Sequence, residues 1–212
     1  MSLASRFSRR SFLNMSLCCL GGAIIMPGLI QAAEQAPKKP LVVYFTHSGN
    51  TEKIAQDIHK HVGGDILRIE QAHDYPEKYH DLTEAAKKEQ ERNARPELKT
   101  PIPDLSEYGV IFLGYPNWWS SMPMPVYTFV EKSGLDGKTI APFATHGGGG
   151  LGHSVEDLKK LVPHSKVLKP LAVSGNFASR AEKDVEKWLE GLGPALIMTT
   201  TGNPAIYPDG GY

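Results

Sequence analysis

The chain has 212 residues, of which 41% are hydrophobic, and it carries 23 basic and 23 acidic side chains. This size and apolar content suit one compact domain with a sizeable core and short segments at either end. Because the charges balance, the sequence lacks the strongly basic face that nucleic-acid binding requires, and we expect no nucleic-acid partner.

Residues 1–33 have the composition of a targeting signal rather than of a folded element. They carry three arginines and no acidic residue, and a weakly apolar run occupies residues 15–30. The rest of the chain therefore holds 20 basic and 23 acidic side chains, a net charge of −3. Within the signal, the sequence Ser-Arg-Arg-Ser-Phe-Leu at residues 8–13 resembles the twin-arginine export motif.

We expect this twin-arginine-type signal peptide to be cleaved near Ala32 or Ala33, which would place the protein in the periplasm or another exported location. Glycines and a proline interrupt the apolar run and favour cleavage, after which no stable membrane span is expected. The alternative is an uncleaved signal that anchors the protein to the membrane. Both cysteines, Cys18 and Cys19, lie inside the signal, so the mature protein is expected to contain no thiol.

After a short polar linker over residues 34–39, apolar β-rich runs alternate with amphipathic stretches. This alternation predicts one α/β domain, over residues 40–193, built on a parallel sheet. Five strands are predicted, over residues 41–45, 65–70, 110–115, 139–145 and 167–173. The central strands are continuously apolar, as expected of strands that are covered on both faces.

Apolar residues at helical spacing predict helices between these strands. The positions that define them are Ile54, Ala55, Ile58 and Val62; Val126, Phe129 and Val130; Val155, Leu158, Leu161 and Val162; and Ala181, Val185, Trp188 and Leu189. A charged helix is also predicted over residues 79–95, with Tyr79, Leu82, Ala85 and Ala86 as its inner face. Frequent glycine and proline predict a tail without regular structure over residues 194–212.

The first predicted strand runs into the loop Thr46-His47-Ser48-Gly49-Asn50-Thr51, which leads directly into a helix. Backbone N–H groups and the positive end of the helix dipole converge there, which predicts an anion site suited to a phosphate monoester. The loop lacks the Gly-Lys-Ser/Thr ending and the dinucleotide glycine pattern, so ATP and NAD are disfavoured. The alternative is an ordinary capped helix, since Ser, Asn and Thr are common at helix N-termini.

Two unusual loops follow the third and fourth predicted strands, and in an open α/β sheet such loops meet the first loop at one edge. One contains Pro116, Asn117, Trp118 and Trp119. Two tryptophans in a loop, rather than on a periodic apolar face, favour stacking on a flat aromatic cofactor. The alternative is that they cover the edge of the core.

The other loop is Thr145-His146-Gly147-Gly148-Gly149-Gly150, at the end of the fourth predicted strand. Consecutive glycines let backbone N–H groups reach the edge of a pyrimidine-like ring, and the alternative is a flexible linker. We assign no catalytic residue, because the sequence has no Gly-x-Ser-x-Gly motif and no carboxylate pair in these loops. We also expect no metal site.

These residues resemble the flavodoxin family, whose phosphate loop has the pattern Thr/Ser-x-Thr/Ser-Gly-x-Thr, matched here by Thr46, Ser48, Gly49 and Thr51. More narrowly, Gly-Tyr-Pro-Asn-Trp-Trp and Pro-Phe-Ala-Thr-His-Gly-Gly-Gly-Gly-Leu-Gly resemble an exported flavodoxin-like subfamily with paired tryptophans. The resemblance covers about residues 40–192. It implies a doubly wound, five-stranded parallel sheet of order 2-1-3-4-5 in three αβα layers.

The resemblance also implies non-covalent FMN, with its phosphate on residues 46–51 and its isoalloxazine ring between residues 116–119 and 145–150. The leading hypothesis is an exported electron-transfer protein whose redox partner, a protein or a small-molecule acceptor, is unknown. One alternative is an FMN-dependent NAD(P)H quinone or azo reductase. Another is a non-redox binding module that has lost its flavin.

Overall fold

A computed structural model of the chain describes residues 38–193. The predicted signal peptide over residues 1–33 and the predicted tail over residues 194–212 lie outside the described residues, as does most of the predicted linker.

Strands and helices alternate along residues 38–193, as the sequence pattern predicts. The strands are β1 (Lys39–Tyr44), β2 (Asp65–Arg68), β3 (Tyr108–Pro116), β4 (Thr139–His146), β5 (Lys166–Val167) and β6 (Leu171–Ser174). The α-helices are α1 (Asn50–Val62), α2 (Tyr79–Glu91), α3 (Met124–Lys132), α4 (Ser154–Leu161) and α5 (Glu182–Leu192). Two short 3-10 helices span Leu105–Glu107 and Gly175–Arg180.

The sheet is parallel throughout and has the order β2-β1-β3-β4-β5, with β6 also paired to β4. This confirms the predicted doubly wound α/β fold and its 2-1-3-4-5 order. The strand predicted over residues 167–173 is present as two short strands, which pair with the beginning and the end of β4. Pro170 separates them, because proline has no N–H to donate to a ladder.

The core has two halves, one on each face of the sheet, because successive strand residues point to opposite faces. Val42 and Phe112 pack with α1 and α5 on one face, whereas Val43 and Leu113 pack with α3 and α4 on the other. The predicted helix positions that are buried are Ile54, Ala55, Ile58, Val62, Val126, Phe129, Val130, Leu158, Val162, Ala181, Val185, Trp188 and Leu189.

Helix α2 differs from the other helices in its packing. Of its predicted inner face, Leu82 and Ala86 are buried but belong to neither half of the core. The prediction is wrong for Tyr79, which is 80% exposed, and Ala85 is only partly buried. The helix ends four residues earlier than predicted, and Asn93 then adopts a left-handed backbone conformation with a φ of 49°. A two-pronged ion pair between Arg95 and Glu131, with both N–O distances at 2.6 Å, joins the following loop to α3.

Because the strands are parallel, the loops that follow β1, β3 and β4 start side by side at the carboxyl edge of the sheet. In the part of the chain that the structure describes, no helix has the length and apolar character needed to cross a bilayer.

Gly114 of β3 is paired in register with Phe143 of β4 and lies directly against its ring. We therefore expect that one methyl group added at residue 114 destabilises the fold. A Cβ atom at Gly114 would overlap the buried ring of Phe143, so we expect Gly114→Ala to lower the free energy of unfolding by about 1–3 kcal/mol in urea denaturation. The control is Gly191→Ala in α5, where a Cβ meets no atom within 4 Å and the variant should gain about 0.5–1 kcal/mol. Equal loss of stability in the two variants would contradict this packing account.

Candidate functional site

A cavity of about 710 Å³ lies at the carboxyl edge of the sheet, within the size range typical of small-molecule sites. The three predicted loops all contribute to its lining, together with one face of α2 and the segment after β6. The lining residues are Ser48, Asn50, Tyr79, His80, Leu82, Thr83, Glu84, Ala86, Pro116, Asn117, Trp118, Trp119, Thr145, His146, Gly147, Gly175 and Asn176.

Sixteen residues are predicted from sequence to bind the cofactor, and nine of them line this cavity. These nine are Ser48, Asn50, Pro116, Asn117, Trp118, Trp119, Thr145, His146 and Gly147. The other seven belong to the same three loops but are not among the lining residues. They are Thr46, His47, Gly49, Thr51, Gly148, Gly149 and Gly150.

The loop between β1 and α1 is held in shape by its own threonines. The N–H of Gly49 donates to Oγ1 of Thr46 at 3.0 Å, and the hydroxyl groups of Thr51 and Thr145 share a hydrogen bond of 2.8 Å. Thr46, Thr51 and Thr145 are all buried. The Thr51–Thr145 bond therefore joins the first loop to the end of β4, while Ser48 of the same loop is exposed at the cavity.

The N-terminus of α1 has no side-chain cap within the described residues. Gly49 occupies the N-cap position with a left-handed φ of 82°, a conformation that glycine adopts without steric cost. The first N–H groups of a helix have no partner within the helix. The ordinary capped helix, which was the alternative to an anion site at this loop, is therefore not what the described residues form. The first N–H groups of α1 are available to bind an anion.

The loop after β3 forms a tight turn over Trp118–Ser121, which we call the tryptophan turn. Trp118 and Ser121 exchange two backbone hydrogen bonds of 2.9 and 3.0 Å. The two central residues, Trp119 and Ser120, have φ values of 49° and 65°, the left-handed pattern of a type I′ turn. Asn-Gly is the usual choice for such a turn, and each non-glycine residue in this conformation costs about 1–3 kcal/mol. Surrounding contacts must therefore stabilise the turn.

Helix α2 provides one set of these contacts. The indole N–H of Trp119 donates to the carbonyl oxygen of Thr83 at 3.0 Å, and the side-chain amide of Gln90 donates to the carbonyl oxygen of Trp119 at 3.3 Å. The ammonium group of Lys87 lies 5.2 Å from the centre of the Trp119 ring, within the range of a cation–π contact. The position of the Trp119 indole is therefore coupled to the position of α2.

Asp157 of α4 provides the second set of contacts. Its carboxylate accepts hydrogen bonds from the hydroxyl groups of Ser121 and Tyr127 at 2.7 and 3.0 Å, and it lies 2.6 Å from Nδ1 of His153. The backbone N–H of His153 donates to the carbonyl oxygen of Ser120 at 2.8 Å. Burial by itself would raise the pKa of the Asp157 carboxyl, but these hydrogen bonds, with one from a lysine, lower it to about 2.

The two loop tryptophans have different environments. Trp118 is partly buried and packs edge-to-face on Phe45 and Tyr75, with ring centres 5.6 and 5.1 Å apart, so it extends the edge of the core. Trp119 is 46% exposed. Both line the cavity, and stacking of either ring on a cofactor stays a prediction.

Asn117 connects the tryptophan turn to the glycine loop and carries an unusual buried acceptor. Its side-chain amide donates to the carbonyl oxygen of Gly150 at 2.6 Å, and its backbone N–H donates to the carbonyl oxygen of Thr145 at 2.7 Å. Its Oδ1 atom is shielded from solvent and has no hydrogen-bond partner within residues 38–193. A buried oxygen without a partner is energetically unfavourable, and because it is shielded from solvent it does not face the open cavity.

The sequence did not identify the α2 residues, Gly175 or Asn176 as part of the site. The sparse apolar face of α2 was visible in the sequence, but periodicity does not say what such a face contacts. Gly175 lies so close to Asn50 that a Cβ atom would come within 2.8 Å of its side-chain nitrogen, and no sequence motif signals this approach.

A cluster with metal-ligand chemistry lies at the other end of α1, where atoms of His61, Glu182 and Glu186 are all within 4.8 Å of one another. The ammonium group of Lys60 already forms an ion pair with Glu182 at 2.6 Å. The cluster lies eleven residues along α1 from Asn50, or roughly 16 Å at 1.5 Å per residue, and contributes nothing to the cavity lining.

Comparison with known proteins identifies the family of the chain. The flavodoxin family model matches residues 39–192. The chain belongs to the flavodoxin family. Among curated proteins, no match to this chain was found.

Three solved structures are similar to this chain. A candidate flavoprotein from Bacteroides eggerthii is 32% identical with a TM-score of 0.65, and the match covers 73% of this chain and 98% of that chain. A candidate flavoprotein from Bacteroides uniformis is 29% identical with a TM-score of 0.65, covering 72% and 98%. A flavoprotein from Lactobacillus acidophilus, solved in complex with FMN, is 22% identical with a TM-score of 0.57, covering 72% and 99%, and shares the fold.

The hydrogen bonds to Asp157 predict a pH-dependent contribution to stability. Because the pKa is lowered from 3.8 to about 2 in the folded protein, the charged carboxylate stabilises the fold above about pH 4, and this stabilisation is lost as the pH falls to 2. We expect Asp157→Asn to lower the free energy of unfolding by about 2 kcal/mol at pH 7, measured by urea denaturation. The difference in the free energy of unfolding between this variant and the wild type should become smaller between pH 4 and pH 2.

The matched control is Glu156→Gln, which neutralises an exposed neighbour on the same helix and should change stability by less than about 0.5 kcal/mol. If the difference in the free energy of unfolding between the wild type and Asp157→Asn stays constant from pH 7 to pH 2, the hydrogen bonds to Asp157 do not stabilise its charged form.

Proposed function

We propose that this protein binds FMN non-covalently and transfers electrons through it. The observation that carries the proposal is the meeting of three loops at one cavity, beside a helix N-terminus that has no side-chain cap within the described residues. A candidate anion site at the helix N-terminus thus adjoins aromatic and polar side chains in the same cavity. A ligand with a phosphate group and a planar ring would fit both parts.

The phosphate end of the proposed site is the start of α1. Ser48 and Asn50 line the cavity there, and the first N–H groups of the helix have no partner within the helix. A phosphate dianion at this point is favoured by the helix dipole and by direct hydrogen bonds from these groups. The buried Thr46 and Thr51 would hold the loop in shape rather than supply its most accessible donors.

The ring end of the proposed site lies between the tryptophan turn and the glycine loop. Asn117 lines the cavity there with polar groups, and the half-exposed indole of Trp119 fits a ring face. When bound, FMN would supply the redox chemistry. The residues of this chain would orient the ring, shield it from water and hold its phosphate.

Family membership supports the assignment of a flavin, and the Lactobacillus acidophilus relative was solved with FMN itself. The arrangement of donors in this chain supports a phosphorylated flavin over riboflavin, because the cavity joins the proposed anion site directly to the proposed ring site. The protein or small molecule that exchanges electrons with the flavin is not identified by these features.

We also infer that the protein is exported. The inference rests on the twin-arginine pattern around Arg9 and Arg10 and on the apolar run that follows. Twin-arginine transport carries folded proteins, which suits a protein that must bind FMN before it leaves the cytoplasm. N-terminal sequencing of the exported protein should begin next to Ala33, whereas an intact N-terminus in the membrane fraction would indicate an uncleaved anchor.

An FMN-dependent reductase with its own small substrate is the second candidate. The observation that favours it is the wall that α2 adds to the cavity, since this wall lies beyond the three loops assigned to the flavin. Rapid oxidation of NAD(P)H by the purified holoprotein in the presence of a quinone or an azo compound would favour this candidate. Negligible turnover would favour the electron carrier.

We expect Ser48→Ala to weaken FMN binding about ten- to hundredfold, because a hydrogen bond to a charged phosphate is worth about 1.5–3 kcal/mol. Titration of the apoprotein with FMN, followed by flavin fluorescence, measures this affinity. The control is Ser106→Ala, which removes an exposed hydroxyl at the opposite edge of the sheet and should leave the affinity unchanged.

Two results would count against the proposed function. If the wild-type protein shows no flavin absorption bands and takes up no added FMN, the chain is a binding module that has lost its flavin. If Ser48→Ala binds FMN as tightly as the wild type, the Ser48 hydroxyl does not donate a hydrogen bond to the phosphate.

A further inference from the structure

Three side chains with metal-ligand chemistry meet where the end of α1 approaches the start of α5. His61 is in the last turn of α1, Glu182 is the first residue of α5, and Glu186 lies one turn later. One ligand atom from each residue lies within 4.8 Å of the other two. Neither the core nor the proposed FMN site uses these groups, so their juxtaposition requires its own explanation.

The two helices that carry these side chains are held together by the core. Ile58 of α1 and Val185 of α5 are fully buried in the same half of the core, on one face of the sheet. Residues four apart in a helix lie side by side on its surface, which places the carboxylates of Glu182 and Glu186 next to each other. The three ligand positions are therefore preorganised by packing, and an ion bound there would not have to order a loop.

The spacing of the ligand atoms suits a small divalent cation. Nε2 of His61 lies 3.7 Å from Oε1 of Glu186, which is too long for a hydrogen bond. Tetrahedral zinc binds imidazole nitrogen and carboxylate oxygen at about 2.0–2.2 Å, which sets two of its ligand atoms roughly 3.4 Å apart. Small rotations of these side chains would thus bring the two atoms to the spacing that zinc requires.

The Nε2 atom of His61 supplies an independent indication of a missing ligand. This atom is shielded from solvent and has no hydrogen-bond partner within residues 38–193. A buried nitrogen without a partner is energetically unfavourable. The ring as a whole is 26% exposed and Glu186 is about half exposed, so an ion can approach from the carboxylate side. An ion held between His61 and Glu186 would give Nε2 the partner it lacks.

The charges around the cluster also favour an added cation. Asp57 lies on α1, one turn before His61, and its pKa is raised by burial and then by repulsion from Glu182. The ammonium group of Lys60, which pairs with Glu182 at 2.6 Å, is the cation that the structure shows beside these carboxylates. Three carboxylates thus share one ammonium group, and a divalent ion would neutralise the remainder.

We propose that His61, Glu182 and Glu186 bind a Zn²⁺ ion that joins the end of α1 to the start of α5. One imidazole and two carboxylates are a ligand set for Zn²⁺ with a fourth position left for water, whereas Mg²⁺ prefers six oxygen ligands. Binding displaces Lys60 from Glu182. The site is independent of the proposed FMN site, because none of its ligands lines the cavity at the other end of α1.

The test is a calorimetric titration of the FMN-loaded, full-length protein with zinc chloride. All samples carry Cys18→Ser and Cys19→Ser, so that no thiol competes for the metal. We expect His61→Ala and Glu186→Gln each to weaken zinc binding at least about tenfold, since loss of even an outer partner of a metal ligand costs about 10–100-fold. Both side chains are partly exposed, so these variants should retain the fold.

The matched controls alter neighbours on the same two helices. His59→Ala removes an imidazole whose Nε2 lies 3.0 Å from the carbonyl oxygen of Gly64, and Asp184→Asn neutralises an exposed carboxylate outside the cluster. Both should leave the zinc affinity unchanged. Lys60→Met should tighten zinc binding, because it frees the carboxylate of Glu182, and a variant that failed to fold could not show this gain.

Several outcomes would overturn the zinc site. They are the absence of zinc binding, equal losses of affinity in His59→Ala and His61→Ala, an unchanged affinity in Lys60→Met, and equal affinities for Zn²⁺ and Mg²⁺. Zinc binding that occurs only when FMN is bound would also overturn it, because the ion would then lie on the flavin phosphate. A protein that takes up no FMN but binds zinc through His61 and Glu186 would overturn the proposed function and support this site.

Discussion

Parallel pairing of β1 with β3, and of β3 with β4, brings three strand ends to one edge, and the rest of the site depends on this alignment. The hydrogen bond between Thr51 and Thr145 shows its consequence, since it joins side chains that are 94 residues apart in the chain. With both threonines buried, the loop at the start of α1 is fixed relative to the end of β4. A ligand that touches both loops therefore meets a preformed geometry rather than two independent segments.

The tryptophan turn depends on that alignment and adds a constraint of its own. Its two left-handed residues are unfavourable by themselves, so its conformation is set by contacts with α2 on one side and α4 on the other. Asp157 and Thr83 lie outside the three loops, and each still fixes the position of one part of the turn. The geometry of the candidate site is thus determined partly by residues that lie outside the three loops.

Much of the fold follows from the sequence because the central strands are continuously apolar and the helices are amphipathic, two patterns that specify a parallel sheet covered on both faces. The rule that loops meet at the carboxyl edge then brings the three motifs together. The wall from α2 was not predictable, because a helical period reveals an apolar face but not its partner. The turn at Trp119 and Ser120 was not predictable either, since neither residue favours a left-handed conformation.

Membership in the flavodoxin family, and the meeting of three loops and an uncapped helix N-terminus at one cavity, support the central proposal. This proposal is that the cavity binds FMN by its phosphate as well as by its ring. The most direct test compares the affinities of the apoprotein for FMN and for riboflavin, which has the same ring and no phosphate. Two or more charge-assisted hydrogen bonds at the start of α1 predict that FMN binds at least about a hundredfold more tightly. Equal affinities for the two flavins, or no binding of either, would contradict the claim.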